Sequence, residues 1–357
     1  MGNASYAEFV ADLVQSTRRR EDALPLVDET CRSRLRLHPT KPARVIVFFH
    51  GFTAAPDQFD PMGEILYRLG YNVVSPLMPG HGQAGNWSAD QPPPLPESPM
   101  LYKKFALDWL DRSQVLGDQM IVCGLSGGGT LAGWLAYARA NQLDRAMLYA
   151  PYLGASMKVI DLIMGVSKRA NPFYVSWPKV ENQAPANNTA RYSYPGFRLG
   201  ALQAFLDLGR EVLELAQRQA GAPLFIVSSE SDKAVSNTDH KILFERAVKR
   251  NPRSWYIRFD RVLDIPHAMM RQVDGNQWEN LLIGLTRAYL ESDFTWKELG
   301  DLAVAMTKGK TVNQALTQFG WTQRATPNLP IMLTMMDKRS LVEERNASRP
   351  QQFNRGR

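Results

Sequence analysis

The spacing of apolar positions divides the chain into three regimes. In residues 1–20, Tyr6, Phe9, Val10, Leu13 and Val14 recur at helical intervals and Arg18-Arg19-Arg20 closes the stretch, which predicts an amphipathic helix. Residues 30–38 predict a short strand. From residue 44 the regime changes. The run 44–49 is β-branched and aromatic without polar alternation, as in a strand covered on both faces. Similar strands are predicted over 71–75, 119–123, 145–149, 223–228 and 254–259. Helices are predicted between and after them, over 56–69, 99–116, 127–141, 238–249 and 271–292. Strands alternating with helices predict an α/β fold, a mostly parallel sheet with helices on both faces. Residues 152–221 break the alternation with helices and an aromatic-rich loop. Beyond 292 come two helical stretches, 296–306 and 312–319, and a polar, basic end. The expected organisation is an N-terminal helix (1–23), a core (24–151 and 222–292), an insertion (152–221) and a C-terminal extension (293–357), helical and then disordered.

Composition narrows this picture. Of 357 residues, 44% are hydrophobic and 22% charged, which excludes a largely disordered chain, a collagen and a disulfide scaffold. Such a length buries a large core without staples. Lys and Arg number 42 against 35 Asp and Glu, giving +7; the segment 295–357 alone holds ten basic and five acidic residues. The two cysteines, Cys31 and Cys123, form no framework and read as free thiols, which suits a reducing, cytoplasmic compartment. Apolar runs such as 45–49 fall far short of the roughly 20 residues that span a membrane. Neither a secretory signal nor N-myristoylation is expected: no apolar region follows the arginines, and Tyr6 stands where a Ser or Thr is wanted.

In a parallel sheet, ligands are met at the carboxyl ends of the strands, so chemistry is sought in the residues just after each one. After 119–123 comes Gly124-Leu125-Ser126-Gly127-Gly128, a G-x-S-x-G pattern between a strand and a helix. A nucleophile on so sharp a turn needs neighbours without side chains, and the helix that follows aims free N–H groups at an oxyanion. After 44–49 comes His50-Gly51-Phe52. The N–H groups of Phe52 and Gly127 are the candidate oxyanion donors, with His50 bracing the loop. A serine needs a base, and the base an orienting acid. Among five histidines only His267 follows the last core strand; His240, near a helix start, is expected at the surface or as a cap. Asp232 follows the strand at 223–228 and is the candidate acid, with Glu230, Asp260 and Asp264 as rivals. The order Ser126, Asp232, His267 fits a hydrolase of this topology. Leu125, Trp177 and Met269 are candidates for lining the substrate site; Met269 and Met270 equally suit core packing.

These segments resemble the α/β-hydrolase superfamily, in particular its monoacylglycerol lipase and carboxylesterase branch. His50-Gly51-Phe52-Thr53 resembles that branch's oxyanion motif, Pro76-Leu77-Met78-Pro79-Gly80-His81-Gly82 its Gly-His-Gly loop, and Gly124–Gly128 its nucleophile elbow. The resemblance covers about residues 40–292 and implies an α/β-hydrolase fold in which 152–221 form a cap over the site. It implies a serine hydrolase that cleaves carboxylic esters, acylglycerol or other, without metal or organic cofactor. Gly127 departs from the branch, which often carries Met there, so a wider acyl site is expected. The same triad serves thioester, amide, lactone and carbon–carbon hydrolysis or acyl transfer, and a non-catalytic binding module is a further alternative. No nucleic-acid partner is expected: a helix-turn-helix reading of 299–319 is weak, and Gly309-Lys310-Thr311 lacks the earlier glycine of a P-loop. The basic tail suits packing or peripheral contact with an anionic membrane.

Overall fold

A computed structural model describes residues 5–155, 174–176 and 194–347. Two compact units are present, Met1–Glu279 and Asn280–Arg357. In the first, helix α1 (Tyr6–Asp22) is closed at its start by a Ser5–Glu8 capping box. Strands β1 (Arg34–Arg36), β2 (Arg44–Phe49), β3 (Tyr71–Ser75), β4 (Gln119–Leu125), β5 (Arg145–Tyr149), β8 (Leu224–Ser229) and β9 (Trp255–Phe259) form one sheet in the order β1-β3-β2-β4-β5-β8-β9. Only β1 runs antiparallel; all other pairs are parallel. The central strands are buried along almost their whole length, as their unbroken apolar runs require. The pairing sets Phe49 beside Gly124, Leu125 beside Tyr149 and Ser229 beside Phe259, so the carboxyl ends of β2, β4, β5, β8 and β9 lie along one edge.

The described helices of this unit are α1, α2 (Met62–Arg68), α3 (Pro99–Ser113), α4 (Gly127–Ala138), α5 (Leu199–Arg218) and α6 (Asn237–Arg250). Helix α4 is buried from Gly127 through Tyr137, which explains its all-round apolar sequence. Of the insertion, the described parts are 152–155, the short antiparallel pair β6 (Tyr174–Ser176) and β7 (Gly196–Arg198) with Tyr194 and Pro195, and α5 with the residues that follow it.

Two predicted helices are divided near their starts. The stretch 56–69 is a 3-10 turn, Pro56–Phe59, followed by α2. Pro61 lacks an N–H and disfavours helical backbone at Asp60, which is extended. Likewise 271–292 is a 3-10 turn, Gln272–Asp274, stopped by Gly275 at φ 105°, and a helix only from Glu279. There Arg271 and Asp274 are drawn into a buried ion pair, and Asn276 Nδ2 donates to the Met269 carbonyl (2.6 Å).

The second unit contains α7 (Glu279–Glu291) from its second residue on, α8 (Trp296–Thr307), α9 (Val312–Phe319), α10 (Leu329–Met335) and α11 (Lys338–Ala347). Helices α8 and α9 fall where periodicity predicts them, and each opens on a capping box, from Thr295 and Thr311. Arg324 donates to Glu298 (2.7 and 3.0 Å) and Asp293 (3.1 Å) and lies 4.1 Å over the Phe294 ring. No described helix is long and apolar enough to cross a membrane.

Candidate active site

Strand β4 ends at Leu125, and Ser126 turns the chain into α4 with φ 55° and ψ −119°. A non-glycine residue rarely adopts positive φ; here the surrounding strand and helix impose it. The flanking glycines are required by contact. A Cβ on Gly124 would lie 2.4 Å from the Gly128 carbonyl, and one on Gly128 would lie 2.0 Å from the Phe49 carbonyl oxygen. The elbow is held behind by Tyr152 N–H donating to the Ser126 carbonyl (3.1 Å) and Thr130 Oγ1 donating to the Tyr152 carbonyl (2.9 Å). Ser126 Oγ forms no hydrogen bond among the described residues and is 8% exposed as a residue.

Asp232 follows β8. Its Oδ1 accepts from Ala234 N–H (2.8 Å) and Val235 N–H (3.3 Å), and its Oδ2 accepts from His267 Nδ1 (2.7 Å). Burial pushes this carboxyl up, but the imidazole and the backbone donors outweigh it and hold it below its ordinary value. The bond assigns the proton on neutral His267 to Nδ1 and leaves Nε2 as the basic nitrogen. Glu230 is engaged elsewhere, ion-paired with Arg258 at 3.0 Å. Asp260 caps the turn after β9, and Asp264 ends it in left-handed backbone. Met269 and Met270 are buried, as is Leu125. Trp177 lies outside the described residues.

The loop bearing His267 is fixed at several points. Ser229 Oγ donates to the Ile265 carbonyl (2.6 Å). Arg271 forms a two-pronged pair with Asp274 (2.7 and 3.0 Å) and reaches Asp57 Oδ2 (2.7 Å) and the Asp57 carbonyl (3.1 Å). Asp57 lies five residues after Phe52, and the neighbouring Gln58 accepts from Gly51 N–H (2.6 Å). A buried guanidinium thus ties the segment of His267 to the segment of Phe52. Burial disfavours its charge, yet the two carboxylates raise its pKa above the ordinary value. Sequence reading did not single out Arg271 or Asp57, because nothing in their spacing announces a contact over 214 positions.

His50 braces the loop as expected: its Nε2 accepts from Met78 N–H (3.0 Å) and its Nδ1 donates to the Gly51 carbonyl (3.0 Å). Burial, with His81 nearby, lowers its pKa well below the usual histidine value. The Phe52 and Gly127 N–H groups donate to no described acceptor. The expected position of His240 is corrected. It is wholly buried, its Nε2 donating to the Pro151 carbonyl (2.7 Å) and its Nδ1 accepting from Ser228 Oγ (2.7 Å). Burial takes its pKa down to about 4. It therefore joins the turn behind Ser126 to the strand that leads to Asp232, where a surface imidazole would join nothing. Nor does glycine at 127 leave an open space. A Cβ there would lie 3.0–3.2 Å from the ring of Phe205, which occupies the room.

A mostly parallel sheet that presents a serine elbow, a loop ending in His-Gly-Phe and a paired Asp and His along one edge defines an α/β-hydrolase. Residues 40–257 match the family described as serine aminopeptidase, S33, and the chain belongs to that family. No curated protein matches the chain in sequence. Among solved structures, the metagenome-derived lipolytic enzymes LipS and LipT give a TM-score of 0.57 at 18% identity, over 73% of this chain and 98% of that one. A Paleococcus ferrophilus monoacylglycerol lipase gives 0.52 at 16% identity, over 72% and 97%. An enol-lactonase from Burkholderia xenovorans gives 0.52 at 16%, over 72% and 95%.

Proposed function

We propose that the chain is a serine hydrolase that cleaves carboxylic esters through an acyl-enzyme on Ser126. The observation that carries this is the 2.7 Å bond from His267 Nδ1 to Asp232, made beyond the same sheet edge where Ser126 stands on a strained elbow. His267 Nε2 takes the Ser126 proton as Oγ attacks the carbonyl carbon. The Phe52 and Gly127 N–H groups hold the oxyanion. Asp232 keeps the imidazole in the required tautomer and stabilises its charged form. His267 then protonates the leaving alcohol, and water, activated by the same base, releases the acid. Contacts of this kind often tighten only when substrate binds, so an unbonded Ser126 hydroxyl is compatible with the role. No step requires a metal or organic cofactor.

The test is turnover of p-nitrophenyl esters. Ser126→Ala is expected to lose at least a thousandfold in kcat/KM while keeping its fold; activity that survives the change removes the proposal. A second reading is lactone hydrolysis by the same groups, since a lactone is a cyclic ester open to the same attack by Ser126. A lactone panel beside the ester panel ranks the two. We place the enzyme in the cytoplasm, since Cys31 and Cys123 are both buried free thiols. Contact of the basic tail with anionic membrane is proposed from its sequence and is tested by salt-sensitive sedimentation with phosphatidylserine vesicles.

A further inference from the structure

From the contact between Gly127 and Phe205 we infer that Phe205 is the wall that limits the acyl half of the substrate, making this a hydrolase of short-chain esters. The inference rests on the proposed ester hydrolysis and specifies its substrate class. Phe205 lies on α5, is fully buried, and stands 3.0–3.2 Å from where the first side-chain atom of residue 127 would be. Its ring also meets Phe52 edge-on, with centroids 5.6 Å apart, and packs on Tyr102 of α3 at 4.4 Å. One aromatic ring therefore touches both residues whose N–H groups are the proposed oxyanion donors.

The direction of the chemistry says which half of the ester meets that ring. His267 must protonate the leaving oxygen, so the alcohol half faces the β8–β9 side from which His267 comes. At the tetrahedral carbon the oxyanion meets the Phe52 and Gly127 N–H groups, and the acyl half leaves at a tetrahedral angle beside it, on the side away from His267. That way lies β2, on the opposite side of β4, with the Phe52 loop at its end. There Phe52, Phe205 and Tyr102 pack on one another, and Phe197 adds a further edge-on contact to Phe52 at 5.0 Å. Glycine at 127 is then the partner of a large residue at 205: a side chain at 127 would press on the ring, which would have to give by a few tenths of an ångström.

The test compares kcat/KM on p-nitrophenyl acetate, butyrate and octanoate for the wild type, Phe205→Leu and Phe205→Ala. The octanoate-to-acetate ratio is expected to rise at least tenfold in Phe205→Ala and severalfold in Phe205→Leu. A general loss of structure lowers both rates together and leaves the ratio unchanged. Should Phe205→Ala not fold, Phe205→Leu carries the comparison. Wild-type turnover with an unchanged ratio in the folded variants overturns the inference and leaves ester hydrolysis standing. A folded wild type without turnover on any ester, and without reaction with a fluorophosphonate, overturns both.

Discussion

Ser126 and its neighbours show how little room the chemistry leaves at single positions. Gly124 and Gly128 face each other, and Gly128 also abuts the end of β2. Both clashes are with backbone, so relief requires moving β2 or the elbow itself. Gly128→Ala is expected to cost about 3 kcal/mol, the upper end of the range for overpacking. Gly133→Ala on the same helix meets only side chains, Leu148 at 3.3 Å and Val212 at 3.5 Å, and is expected to stay within about 1 kcal/mol. Urea denaturation of the two variants checks the difference; equal midpoints would count against the steric account. The elbow glycines were legible in the sequence because their need is local. So was the pairing of Asp232 with His267, which chain order suggests. Phe205 was not legible, since glycine at 127 announces a vacancy and not what fills it.

At the level of elements, the segment after β9 departs most from its sequence pattern. Periodicity over 271–292 reads as one helix, yet its first turn is surrendered to a buried ion cluster of Arg271, Asp57 and Asp274. Periodicity records which faces are apolar and is silent about a polar side chain whose partner lies more than two hundred residues away. Removing a buried cation leaves two carboxylates unpaired, at a cost of about 3–5 kcal/mol. Arg271→Met is expected to lose that much, and to lose ester turnover beyond its loss of stability as the loops of His267 and Phe52 come apart. Arg258→Met, which breaks the exposed pair with Glu230, is expected to cost about 1 kcal/mol or less. Similar midpoints for these two variants would contradict the clamp. The strands were read closely because a doubly covered strand has a plain signature; the helix ends were read less well, because Pro61 and Gly275 act through backbone geometry.

Across the whole molecule, burial of titratable groups couples stability to pH. His50, His81 and His240 are buried and neutral, with pKa values of about 4 for His81 and His240 and a lowered one for His50. Below a pH of about 6.5 the unfolded chain takes up protons that the folded chain resists. Stability therefore falls as pH drops from about 6.5 towards 4. The carboxyl of Asp232 adds to this at the acid end: its folded pKa is depressed, so its contribution is present above the unfolded value and lost as pH falls through the folded one. Urea midpoints are expected to be level near neutrality and to decline steadily between pH 6.5 and 4.5, with a shallower decline in His240→Gln. A flat profile over that range is the contrary outcome.

The central claim concerns one hydroxyl, and a fluorophosphonate probe reads it most directly. Reaction of the full chain, digestion and mass spectrometry are expected to locate the adduct on Ser126, with labelling abolished in Ser126→Ala and strongly slowed in His267→Ala. A folded chain that stays unlabelled, or an adduct on another residue that persists in Ser126→Ala, contradicts the account.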